Sequence, residues 1–235
     1  MKTPWRALLM VQKDDVKYMD ETIQRLRQLG IPEIHVFAEA KVRISKRFDT
    51  SLHQDARWTS PYELWKGATA IAGDIYTSQT DLFLVCRPDV YFWEQLPVYC
   101  ENTIPRNEIG IWCPLTPNRV FPSENIQRPR CKGDWGWCPT QVTPDVEQHH
   151  CFVVTGHMLS LMAFYMPHLE EPAHVGCTLS QALGRRGIPY YFHTPSLATV
   201  GTDVNYTAND FVGLTHHMNQ KDMKEQDLIL KPKRR

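Results

Sequence analysis

Asp89 ends a chemically suggestive stretch, Asp81-Leu82-Phe83-Leu84-Val85-Cys86-Arg87-Pro88-Asp89, an apolar run that stops abruptly in Arg-Pro-Asp. A short apolar run bounded by polar residues reads as a strand buried on both faces. A carboxylate just past the carboxyl end of such a strand can hold a divalent cation, which in turn grips phosphates. That edge is where open α/β sheets bind ligands. The plain alternative is a strand followed by a Pro-Asp turn. A second set of metal-ligand types is Cys131, Cys138, His149, His150 and Cys151. These would suit zinc, but the Cys131 to Cys138 gap exceeds the usual close pair and Cys151 opens an apolar run. Core thiols are the competing reading.

The elements that must position Asp89 are legible before and after it. Ala7 to Val11 is a compact apolar run, a first strand, with Lys13-Asp14-Asp15 at its carboxyl end. Tyr18 to Leu29 carries Met19, Ile23, Leu26 and Leu29 at near-helical spacing. Gly30 and Pro32 stop that helix. Ile34 to Ala38 is a second strand, with Glu39 at its end. Strand, helix and strand with short connections imply a parallel pair with a right-handed crossover. Val42 to Trp58 is polar and reads as a loop. Ser60-Pro61-Tyr62-Glu63 opens a helix, with Ser as N-cap and Pro in the first turn. Trp93 to Tyr99 reads as a short helical piece, and Ile109 to Cys113 as a further strand. Pro114 to Val146 reads as a long irregular insertion, the kind of segment that is usually functional or mobile. Cys151 to Val154 is a buried strand, Met158 to Met166 an apolar helix, and Leu179 to Leu183 a short helix. Ile188 to Phe192 is expected to be the last strand and an edge one, because Pro189 interrupts it.

Composition narrows the class. Length is 235 residues, with 42% hydrophobic and 22% charged, which fits one large globular domain. We expect that domain over 1–213 and a polar tail over 214–235 with a basic end. Twenty-six basic residues balance twenty-six acidic ones, so no overall field draws the chain to nucleic acid. No apolar stretch is long enough to cross a bilayer, and no secretory leader is recognisable. Seven scattered cysteines, an odd count, are expected to be reduced thiols of a cytoplasmic protein.

The order of these elements resembles a GT-A glycosyltransferase of the family-2-like bacterial or phage type. The central strand of such proteins ends in a form of the DXD motif, matched here by Val85 to Phe92. The likeness extends to Ile109 to Thr116, to the Gly-Trp-rich Gly133-Asp134-Trp135-Gly136-Trp137, to Pro195-Ser196-Leu197-Ala198-Thr199-Val200-Gly201, and to Ala208-Asn209-Asp210-Phe211-Val212-Gly213. It covers roughly Ala7 to Gly213 and is more specific in order than in any one motif. Two positions depart from the pattern: Pro88 stands where the first acid of the DXD pair belongs, and Thr199 falls nearest the place of a late histidine. Both departures fall on the metal site.

The resemblance implies an α/β fold, GT-A-like and Rossmann-type, a single domain with a mostly parallel central sheet flanked by helices. It implies transfer of a sugar from a nucleotide-sugar donor to an acceptor hydroxyl. The departing nucleoside diphosphate needs its charge neutralised by a metal or by cationic side chains. Asp89 is then the metal ligand, for Mn2+ or Mg2+, with Arg87 as supplement or substitute because a guanidinium takes phosphate oxygens bidentately. Asp14, Asp15 and Glu39 would accept from the base and ribose, exposed loop acids being the rival reading. Glu171, with His174 beside it, would take the proton from the acceptor hydroxyl. Trp135 and Trp137 offer faces to a sugar ring, or else are core residues. Two other functions fit the same fold: a nucleotide- or sugar-binding protein that has lost catalysis, and a sugar transferase acting on modified nucleic acid. The acceptor, whether glycan, small molecule or nucleic acid, stays open.

Overall fold

The computed structural model describes residues 5–44, 50–75, 78–88, 90–114, 136–140, 151–165, 187–194 and 197–200. Ten strands occur among them: β1 (Trp5–Val11), β2 (Glu33–Ala38), β3 (Ser51–Gln54), β4 (Leu82–Cys86), β5 (Val90–Phe92), β6 (Ile111–Cys113), β7 (Gly136–Thr140), β8 (Cys151–Thr155), β9 (Tyr190–Thr194) and β10 (Ala198–Val200). The helices are α1 (Val16–Gln28), α2 (Pro61–Ile75), α3 (Leu96–Thr103) and α4 (Gly156–Tyr165), and a 3-10 turn, Lys13–Asp15, precedes α1. Eight strands form one sheet in the order β3-β2-β1-β4-β8-β6-β9-β7, and β5 pairs antiparallel with β10 beside it. β8 and β7 run against the other six, so the sheet is mixed but mostly parallel.

Local chemistry sets these boundaries. Every residue of β4 is buried, as expected of a central strand covered on both faces. Gly30, at φ 77°, ends α1: its N–H reaches the Arg27 carbonyl at 2.9 Å, and the Ile31 N–H reaches that of Leu26 at 3.1 Å. This double closure needs a left-handed residue, which glycine supplies without strain. Ser60 caps α2 by accepting the Glu63 N–H at 3.3 Å.

The helices lie on two sides. Trp65 of α2 stacks on Phe152 of β8, and α2 packs along α4. That crossing is close, because a Cβ on Gly73 would meet the Ala163 Cβ at 2.6 Å. On the other face, Trp5 of β1 donates to Glu101 of α3 at 2.8 Å, and α1 packs against β1 and β5.

Four readings of the sequence change. The stretch 42–58 contains a strand, β3, laid parallel on β2 as a polar outer strand. The insertion 114–146 contains β7. The strand near 190 is neither last nor at an edge: β9 lies between β6 and β7, and β10 follows it. Pro189 precedes the strand and its carbonyl accepts the Ile111 N–H at 3.1 Å, so no ladder bond is interrupted. The expected helix at 179–183 and the tail 214–235 lie outside the described residues.

A polar chain crosses the amino-terminal half of the sheet. His53 of β3 meets His35 of β2 (N···N 3.1 Å), His35 meets Glu33 at 2.8 Å, and Glu33 accepts from Arg6 of β1 at 2.6 Å. Arg6 also grips Asp81, which accepts the Ser78 hydroxyl at 2.9 Å. Burial alone would raise the Glu33 carboxyl, but the bonds from His35 and Arg6 outweigh it and hold Glu33 below the ordinary 4.5. A carboxyl with a depressed folded pKa stabilises the fold above its unfolded value and loses that contribution as pH falls through the folded one. Glu33→Gln should therefore flatten the loss of stability below about pH 4.5. Urea midpoints measured across that range check it, and an unchanged acid limb contradicts it.

Candidate functional site

The strand order reverses at the centre of the sheet. β1 leads through α1 to β2 on one side, while β3 leads through α2 to β4 on the other. Between β1 and β4 the two crossovers diverge, and in open α/β sheets such a switch point is where a crevice outside the carboxyl ends takes ligands. The residues that follow β1, β2 and β4 are Gln12 to Asp15, Glu39, and Arg87 with Pro88.

The crevice brings four of the expected side chains together. Asp15 is buried at the start of α1, and its carboxylate accepts from the Arg87 guanidinium at 2.8 Å and from the Gln12 N–H at 3.4 Å. Glu39 is half-buried and accepts the Lys13 N–H at 3.2 Å. Its own backbone N–H is bonded to the Val11 carbonyl at 3.1 Å, which ties the ends of β1 and β2. Asp14 is exposed in the turn that precedes α1. Burial pushes the Glu39 carboxyl above the ordinary 4.5; the Lys13 N–H opposes this, and Asp15 and Asp14 reinforce it. Gln54 of β3 donates to the Glu39 and Val42 carbonyls at 2.7 and 2.8 Å, holding the turn after β2. The crevice thus presents carboxylate acceptors beside a guanidinium whose geometry suits phosphate oxygens.

Trp137 is placed elsewhere. It sits on β7, four strand positions from β4 along the sheet, about 19 Å at roughly 4.8 Å per strand. Its indole N–H donates to the Thr103 hydroxyl at 3.0 Å. Its ring meets His193 edge-on at 4.9 Å and Tyr99 at 6.1 Å. His193 is fully buried and bonded to the Tyr99 hydroxyl at 2.8 Å. Trp137 is therefore part of an aromatic cluster against α3, apart from the crevice. Asp89, Trp135, Glu171 and His174 lie outside the described residues, as do Cys131, His149, His150 and the side chain of Cys138. Cys151 is buried at the start of β8, its carbonyl facing the Cys113 thiol at 3.5 Å.

Among the described residues, no three His, Cys, Asp or Glu side chains group so as to hold a metal ion. Asp15 is turned to Arg87 and Glu39 to the Lys13 N–H. Sequence reasoning missed two contributors. Gln54 carries no local signal in a polar stretch. Thr22 does carry one: it interrupts the apolar face of α1 between Met19 and Ile23 and is fully buried. A polar side chain in that position calls for a partner.

No family model matches the sequence, and no curated protein matches it. Solved structures do match. A 4-diphosphocytidyl-2C-methyl-D-erythritol synthase aligns over 91% of this chain and 98% of its own at 13% identity, with a TM-score of 0.50. The galactosyltransferase LgtC with donor and acceptor sugar analogues aligns over 79% of this chain and 72% of its own, at 9% identity and a TM-score of 0.44. An active-site mutant of LgtC aligns over the same shares at 11% identity and 0.47. At these identities the likeness is one of fold. With its mostly parallel sheet, its reversal between β1 and β4, and helices on both faces, the chain has a GT-A-like, Rossmann-type α/β fold.

Proposed function

We propose that the chain is a transferase that binds a nucleotide-sugar donor in the crevice between β1 and β4 and passes the sugar to an acceptor hydroxyl. The observation that supports this reading is the meeting of Asp14, Asp15, Glu39 and Arg87 at the switch point of a GT-A-like sheet, since fold alone is no warrant for activity. In this reading Asp14 and Glu39 accept from the base and ribose. Arg87 faces the diphosphate, where negative charge develops as the sugar leaves. Asp89, next to Pro88 in sequence, holds Mn2+ or Mg2+, an ion that would neutralise the same charge. Glu171 or His174, three positions on in sequence, takes the proton from the acceptor, and Trp135 belongs to the acceptor side, whereas Trp137 is held in its aromatic cluster against α3.

Asp89→Asn tests the metal role. It should remove the manganese dependence of nucleoside diphosphate binding and weaken that binding at least about tenfold, in line with roughly 1.5–3 kcal/mol for a charged contact. Isothermal titration reads both. Unchanged affinity and metal dependence would contradict the assignment.

The match to the diphosphocytidyl compound's synthase favours a second reading, nucleotidyl transfer at the same crevice. The products separate the two. Sugar transfer releases a nucleoside diphosphate, whereas nucleotidyl transfer from a nucleoside triphosphate releases pyrophosphate.

A further inference from the structure

α1 carries a polar stripe on a face that its neighbours bury. Asp15, at its amino-terminal cap, Thr22 and Arg25 follow at spacings that put them on one side of the helix. All three are buried. A buried polar side chain is costly unless it is partnered. Each of these three has a partner in the same short segment, Arg87 to Tyr91. Asp15 accepts from Arg87 at 2.8 Å. The Thr22 hydroxyl donates to the Pro88 carbonyl. The Arg25 guanidinium lies 3.5 Å from the centre of the Tyr91 ring and is also held by Glu21.

Backbone accounting explains why the segment needs this. β4 ends at Cys86 and β5 begins at Val90, so Pro88 belongs to neither ladder. Its buried carbonyl must find a partner outside the sheets, and Thr22 is that partner. The segment leads directly from the central strand of the sheet past the crevice.

We infer that α1 is a clamp on the β4–β5 connection, and that Asp15 and Thr22 are positioning residues for the candidate site, acting through Arg87 and Pro88. Asp15 then orients the Arg87 guanidinium instead of binding the donor itself. The positioning role rests on the proposed function; the clamp does not.

Thr22→Val and Thr22→Ser test it in the full chain. Valine keeps the shape of threonine and removes the donor, while serine keeps the donor. Thr22→Val should speed amide exchange in the peptide spanning 86–92 by about tenfold or more, the size of one buried acceptor left unmet. It should also weaken binding of a nucleoside diphosphate by about tenfold, the penalty for an anion site whose cation is no longer held in place. Thr22→Ser should stay near wild type in both. Unchanged exchange at 86–92 in Thr22→Val would overturn the clamp. Faster exchange with wild-type nucleotide affinity would overturn the positioning role and leave a structural one. If the wild-type protein binds no nucleotide, the proposed function fails and the positioning role with it, while exchange still decides the clamp.

Discussion

Arg6→Met should destabilise the fold by about 3 kcal/mol, a value at the low end for removing one partner of a buried ion pair. Arg6 holds two carboxylates, and they contribute unequally. The Asp81 side chain is 8% exposed, so without the guanidinium its charge stays buried beside the Ser78 hydroxyl at 2.9 Å, with Arg106 as a more distant cation. Glu33 is 41% exposed and is rescued by solvent and by His35. Methionine replaces much of the stem volume, so the loss is electrostatic and not a cavity effect. Denaturation in urea should show a lower midpoint with an unchanged slope. Asp81→Asn added to Arg6→Met should recover part of the loss, because the stranded charge is gone. A double-mutant cycle with no coupling would contradict this account.

Arg87→Met should be costly in two separate ways. Asp15 is almost wholly buried and its carboxylate faces Arg87, so the fold should lose about 3 kcal/mol. On the proposed function, donor affinity should fall by at least about tenfold as well, from the loss of a charge-assisted contact. Asp15→Asn combined with Arg87→Met separates the two effects. The pair should regain stability, since no unpaired charge remains, but should not regain nucleotide binding. If the double variant recovers affinity along with stability, Arg87 plays no part in holding the donor.

The sequence made the left half of the sheet legible. β1, α1, β2, α2 and β4 are long or strongly patterned, and their ends carry local chemistry: Gly30 closing α1, Ser60 capping α2, and the apolar run Leu82 to Cys86. The right half was harder, for physical reasons. β5, β6 and β10 have three residues each, too few for a period to show. β3 reads Ser-Leu-His-Gln, a polar outer strand held mainly by its ladder to β2. The reversed direction of β8 depends on partners distant in the chain, and nothing in Cys151 to Thr155 encodes it.

The candidate site divides in the same way. Asp14, Asp15, Glu39 and Arg87 could be placed at strand ends because each follows an apolar run, and strand ends can be read from such runs. Their division of labour was not legible. Asp14 and Asp15 are neighbours of one residue type, yet one is exposed and the other is buried against a guanidinium 72 positions away. Trp137 looked like a ring platform in a Gly-rich loop, and its contacts with Thr103, His193 and Tyr99 arise only from the pairing of β7 with β9.

The most direct test of the central claim is the melting temperature of the wild-type protein against a panel of nucleoside diphosphates and nucleotide sugars, with and without manganese. A ligand at about 100 times its Kd adds roughly 2.7 kcal/mol to the native state. For a domain of this size that corresponds to a rise of roughly 5–10 °C. The account predicts such a rise for one nucleotide class, larger with manganese. No rise with any nucleotide or nucleotide sugar, in either condition, would contradict it.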